Sequence, residues 1–178
     1  SLTEYIQVVE ALETCDGVDA YEINISCPNV DSGGLTFGTD PEAVNAVVSE
    51  CRKRTKRPLI VKLTPNVTDI TVIAKTAEAA GADALSLINT LLGMAIDPYK
   101  RTTILARKVG GLSGPAVKPV ALRLVWETHN AVSIPLLGMG GITNGLDAVE
   151  FMLAGATAVA VGTANFMNPH ATIDVIEG

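Results

Sequence analysis

Apolar residues along the chain alternate between two rhythms. In "GVDAYEINI", Tyr21, Ile23 and Ile25 alternate with Glu22 and Asn24, the period of a strand with one buried face. In "NVTDITVIAKTAEAAG", Ile70, Ile73, Ala74 and Ala77 share one helical stripe, and Gly81 stops it. The same exchange runs through the whole sequence. It starts with an amphipathic helix in "SLTEYIQVVEALETC", and a helix from about Pro41 to Lys53 precedes the strand "PLIVKL". The buried strand "ADALSLIN" comes before the helix "PAVKPVALRLVWETHN", which turns Val117, Val120, Ala121, Leu124 and Val125 inward. "IPLLGMGG", a helix near Leu146 to Leu153 and "TAVAVGTAN" complete the series. About five strands, each followed by a helix, predict an α/β protein with a parallel sheet. The connection from Thr90 to Gly114 is long for a compact domain, and such loops are usually functional or mobile.

Glycines at the ends of two successive strands decide between the common α/β architectures. "GMGG", Gly138 to Gly141, and "VGTAN", Val161 to Asn165, lie one βα unit apart near the C-terminus. This spacing fits the phosphate site after the last two strands of a (β/α)8 TIM barrel, built from backbone N–H groups and a short helix N-terminus. A dinucleotide-binding fold would place G-x-G-x-x-G after the first strand, and that motif is absent there. A whole barrel takes roughly 250 residues and about eight strands. Residues 1–178 are therefore expected to be a single incomplete TIM-barrel domain, the C-terminal part of a longer chain with about five βα units. Such an arc alone would leave two open strand edges and a half-exposed interior.

Composition narrows the picture without changing it. With 48% hydrophobic residues in 178 and a mean hydropathy of +0.34, the chain can bury a substantial core, which excludes disorder. A net charge of −6 and a pI near 4.8 argue against nucleic-acid binding. The basic run "RKRTKR", Arg52 to Arg57, reads as cations closing a helix. Cys15, Cys27 and Cys51 are odd in number and lack C-x-x-C spacing, so neither a disulfide framework nor a zinc site is supported, and a reducing cytoplasm is expected. No apolar run reaches the length of a membrane span. The opening residues read as a helix inside a fold rather than a signal peptide.

Several residues sit where chemistry is expected. Cys27, in "EINISCPNV", ends a strand between two asparagines, and Pro28 holds it extended. Free cysteines are more often buried and inert, the reading kept for Cys15 and Cys51. Asn24 and Asn89 each interrupt or end an apolar strand, where an unpartnered buried amide costs about 1–3 kcal/mol. Lys62 closes the apolar strand "LIVK" and must find an anion or reach solvent. Bare glycines at strand ends allow close backbone approach, which indicates a phosphate more firmly than any one phosphate ligand. His129 and His170 read as surface groups, Trp126 as packing, and nothing supports a metal.

Six segments in register, "NISCPNV", "RPLIVKLTPNVTDI", "LSLINTLLGMAID", "GGLSGPAVKPVALR", "IPLLGMGGI" and "AVAVGTANF", resemble the C-terminal portion of the class I, B-type, NAD-linked dihydroorotate dehydrogenases. The resemblance covers essentially the whole chain. It implies oxidation of dihydroorotate to orotate in pyrimidine (UMP) biosynthesis, with Cys27 as the general base taking the C5 proton and FMN accepting the C6 hydride. It implies substrate contacts at Asn24, Asn29, Asn89 and Thr90. FMN contacts are implied at Lys62, Ile88, Ser113, Gly114, Gly140, Gly141, Gly162 and Thr163. A homodimer and an electron-transfer subunit carrying FAD and an iron–sulfur cluster are also implied, as are weak FMN binding and poor turnover for this polypeptide alone. Two other readings use the same residues: another FMN barrel that oxidises pyrimidines, like the dihydropyrimidine dehydrogenase domain, or an inactive phosphate-binding barrel fragment.

Overall fold

The computed structural model describes residues 1–26 and 37–178. Helix α1 (Leu2–Glu13) leads into strand β1 (Tyr21–Asn24), and a 3-10 turn (Phe37–Thr39) precedes α2 (Pro41–Arg54). Next come β2 (Leu59–Lys62), α3 (Ile70–Ala79) and β3 (Ala84–Leu87). Four short strands follow: β4 (Leu91–Met94), β5 (Ile96–Asp97), β6 (Thr102–Thr103) and β7 (Val109–Leu112). A 3-10 turn (Pro115–Val117) opens α4 (Lys118–His129), followed by β8 (Leu136–Met139), α5 (Gly145–Leu153), β9 (Ala158–Ala160), α6 (Ala164–Met167) and α7 (Ala171–Glu177). The helices begin where the sequence supplies caps. Asp40, Asp69 and Asn144 accept backbone N–H groups at the starts of α2, α3 and α5, and Pro41 opens α2.

The main sheet has five parallel strands in the order β1-β2-β3-β8-β9. Strand order follows chain order with no reversal, and each of α1 to α4 packs against the next helix in the series. A doubly wound sheet would reverse at a switch point and carry helices on both faces. This sequential layout is an arc of a (β/α) barrel, as expected.

Strand parity divides the two faces. Tyr21, Ile23, Leu59, Val61, Leu85, Leu87 and Leu136 are buried in the core, with Phe151 of α5 among its largest side chains. The stripe Ile70, Ile73, Ala74 and Ala77 of α3 is buried as expected, as are Val117, Ala121, Leu124 and Val125, while Val120 packs part-buried against the core. The other face carries Glu22, Asn24, Ile60, Lys62, Ser86, Leu137, Met139 and Ala160, joined across the strands by the register.

Three features depart from the sequence reading. The connection from Thr90 to Gly114 is not loop alone, because β4 pairs antiparallel with β7 and β5 with β6. Their apolar side chains stay exposed, including Leu92, Met94 and Ile96, so no one-sided alternation marks them. Two helices, α6 and α7, follow β9, where one helix after each strand was expected. Trp126, expected to pack, is 57% exposed because α4 buries the opposite stripe. The basic run does close α2: Arg52 pairs with Asp83, Lys53 and Arg54 with Glu50, and Arg57 with Glu13. Cys51 is buried in α2, and burial raises its thiol pKa, whereas Cys15 is exposed. No helix among the described residues is long and apolar enough to cross a membrane.

Candidate functional site

A cavity of about 400 Å³ opens at the C-terminal ends of the parallel strands. Each strand end contributes to it in turn. Lys62 closes β2, and Ile88, Asn89 and Thr90 follow β3. Ser113 and Gly114 precede the turn into α4, Gly140 and Gly141 follow β8, and Gly162 and Thr163 follow β9. Residues as far apart in sequence as Glu22 and Ala164 thus meet in one lining. Asn24 is tied to it through the Asn89 amide, whose Nδ2 donates to Asn24 Oδ1 at 3.2 Å. Cys27 and Asn29 lie outside the described residues.

Backbone bonds hold the strand ends in place. The N–H of Ile88 donates to Met139 O and that of Asn89 to Leu63 O, both at 3.0 Å, and the Leu87–Ile88 peptide is cis. Asn66, in "TPNVTD", fixes the start of the β4–β7 ribbon: its Nδ2 donates to Thr90 O at 2.9 Å and its Oδ1 accepts from Leu92 N at 3.0 Å.

The turn after β8 leaves no room for side chains. Gly140 and Gly141 have φ of +126° and +81°, and a Cβ on Gly141 would sit 2.9 Å from Gly114 O and from Lys118 N. The turns after β7 and β8 are therefore pressed together, a close approach that only glycine permits. Thr163 Oγ1 donates to Ser113 Oγ at 2.8 Å, joining the turn after β9 to the same cluster.

Among the described residues, two carry charge in the lining, Lys62 and Glu22, with Lys62 Nζ 3.5 Å from Glu22 Oε1. The nearby Lys118 is already neutralised, its Nζ 2.6 Å from Asp147 Oδ1 and 3.0 Å from Glu150 Oε2. Asp147 also accepts from Thr143 N and Oγ1, at 2.8 and 2.7 Å, so the turn from Gly140 to Thr143 is pinned to the start of α4. Burial pushes the Asp147 carboxyl up, but the bonds from Lys118 and Thr143 outweigh it and bring its pKa down to about 2. Beside Lys62 in register, the buried Ser86 Oγ has no partner among the described residues.

Sequence reasoning missed Glu22, Asn66, Lys118 and Asp147. Glu22 was findable, because it shares the strand face of Asn24. The clamp of Lys118 and Asp147, 29 residues apart, left no local signal.

Glycine turns, hydroxyls and one lysine gather at the C-terminal ends of sequentially ordered parallel strands, the layout of a barrel-type α/β site. The sequence model of the dihydroorotate dehydrogenase family matches residues 1–178. The chain is 64% identical over its whole length to the catalytic subunit of dihydroorotate dehydrogenase B (NAD(+)) of Alkaliphilus metalliredigens, and 62% identical to that of Alkaliphilus oremlandii. It spans 59% of the length of each. Two crystal structures of DHODH from Eimeria tenella, one with ferulenol and one ligand-free, superpose with TM-scores of 0.77 and 0.78 at 24% identity. They match 97% and 99% of this chain, and 52% and 54% of their own. The chain belongs to the dihydroorotate dehydrogenase family.

Proposed function

We propose that the protein oxidises dihydroorotate to orotate in pyrimidine biosynthesis, with residues 1–178 as the FMN- and substrate-binding C-terminal portion of a (β/α)8 barrel. One observation carries this reading: Lys62, Asn89, Ser113, Gly141 and Thr163, each from a different strand end and assigned from sequence, line one cavity. The donor set suits FMN. The turns at Gly140 and Gly141 bring backbone close to a phosphate, Ser113 and Thr163 add hydroxyls, and Lys62 supplies positive charge for the ring. The unpartnered Ser86 hydroxyl beside Lys62 is a further polar group for a ligand or a water to satisfy.

FMN, when bound, supplies the hydride acceptor. The chain's own residues do the rest. Cys27, as thiolate, takes the C5 proton of dihydroorotate, while Asn24, Asn29, Asn89 and Thr90 hold the pyrimidine and its carboxylate. Carboxamides suit that edge because each donates and accepts at once. The electrons then leave for NAD through a partner subunit carrying FAD and an iron–sulfur cluster, as the sequence resemblance implies. A homodimer and a cytoplasmic location complete the proposal.

Anaerobic addition of dihydroorotate to the FMN-loaded protein tests it. The visible flavin absorbance should bleach, and dihydrouracil, which lacks the carboxylate, should leave it unchanged. Bleaching by dihydrouracil alone would move the assignment to a dihydropyrimidine-oxidising barrel. A protein that takes up no flavin under any loading condition would refute the cofactor assignment.

A further inference from the structure

Glu22 has no evident part in holding the fold together. Its strand neighbours Tyr21 and Ile23 are buried in the core, while Glu22 stands on the opposite face and lines the cavity. Its one ion pair among the described residues is with Lys62 at 3.5 Å. Simple anion binding does not call for a carboxylate here. Placed beside the one cation among the described residues of the lining, it cancels part of the field that a phosphate, a carboxylate or an electron-rich ring would feel. The neighbourhood offers little else to offset it. Ser86, next to Lys62 in register, is neutral, Lys118 is committed to Asp147 and Glu150, and the other described residues of the lining carry no charge.

We propose that Glu22 is a positioning residue that sets, through Lys62, how strongly the site favours the reduced form of a bound flavin. This rests on the FMN reading above. A cation beside the ring stabilises the negative charge that reduction adds, and a carboxylate 3.5 Å from that cation subtracts from the effect and restrains the ammonium group. At 22% exposure for Lys62 and 36% for Glu22 the pair is only partly screened, so the carboxylate is felt at the ring but does not dominate it. The pair would thus tune the flavin toward giving up electrons as well as taking them.

The test uses the FMN-loaded protein and reads the cofactor rather than turnover. The flavin midpoint potential is measured by dye-equilibrated reductive titration. Sulfite affinity is measured in parallel, because sulfite bonds through sulfur to N5 of the oxidised ring and leaves it negatively charged. Glu22→Gln should move the potential in the positive direction and tighten sulfite binding by about threefold to tenfold. Glu22→Asp, which keeps the charge, should stay near the parent, and Glu22→Ala, which removes it, stands in with the same expected shift if the glutamine variant folds poorly. In a Lys62→Met background the effect of Glu22→Gln should shrink to near nothing. An unchanged potential in Glu22→Gln would overturn the proposal, as would a shift that persists undiminished without Lys62. If the parent itself holds no flavin, this inference falls together with the cofactor reading. If the parent holds flavin and the variants do not differ, only this inference falls.

Discussion

Lys118 and Asp147, at the first turns of two neighbouring helices, are joined by a 2.6 Å ion pair, and the second carboxylate oxygen of Asp147 is taken up by Thr143. The pair fixes the separation of α4 and α5. The turn at Gly140 and Gly141, which lines the cavity, lies between those helices in the chain, so this ion pair helps set the shape of that part of the lining.

That pair should be visible in the pH dependence of stability. The folded pKa of Asp147 is depressed to about 2, against an unfolded value near ~3.9. Its contribution is therefore present above about pH 4 and is lost as pH falls toward 2. The size is on the order of 2 kcal/mol. Denaturant unfolding at neutral pH should find Asp147→Asn weaker by about that amount, and the difference from the parent should narrow in acid. A gap independent of pH would show that the carboxylate charge is not what matters.

The glycine turns separate fold effects from ligand effects. Gly141→Ala places a methyl 2.9 Å from Gly114 O and Lys118 N at a φ of +81°, so it should lose flavin and lower the melting temperature together. Gly162→Ala meets nothing within 4 Å and should melt like the parent. Any flavin lost from Gly162→Ala would then mark occupied ligand space. Flavin content by absorbance, set beside thermal unfolding followed by circular dichroism, reads both.

Asn24 and Asn89 bond each other across β1 and β3, and Asn89 Oδ1 also accepts from Thr90 N at 2.8 Å. Removing either amide should therefore disturb both. Asn24→Ala and Asn89→Ala are each expected to lower kcat/KM for dihydroorotate by about 10²-fold, with the double variant far from additive. Steady-state kinetics on the three variants checks this, and strict additivity would argue against a shared substrate contact.

Cys27→Ala should lower turnover by about 10²- to 10⁴-fold, the range for losing a general base, while leaving FMN bound. Turnover within a few-fold of the parent would remove Cys27 from the base role. Cys15→Ala and Cys51→Ala serve as comparisons: one thiol is exposed just past α1 and the other is sealed in the core.

Much of this was readable from sequence because the informative residues stand at strand ends. The alternation in "YEIN" located β1, and the glycines of "GMGG" located the turn after β8. What escaped was long-range or two-sided. The β4–β7 ribbon exposes apolar groups such as Leu92 and Val109, so no buried face prints a period on it. The Lys118–Asp147 bond joins residues whose separation carries no periodic signal. Glu22 shares the strand face of Asn24, but nothing in the sequence places Lys62 beside it.

The parity of the strands has an evolutionary consequence. Along β1 and β2, even-numbered positions such as 22, 24 and 62 hold the groups assigned to chemistry, while odd-numbered 21, 23, 59 and 61 hold the core. Substitutions at alternate positions can thus drift under nearly separate selection, one set for the cavity face and the other for folding. A single-residue deletion within either strand would swap the two sets and damage both at once. Lineages descended from such a sheet should therefore tolerate exchange of residues in these strands far more readily than any change in their length.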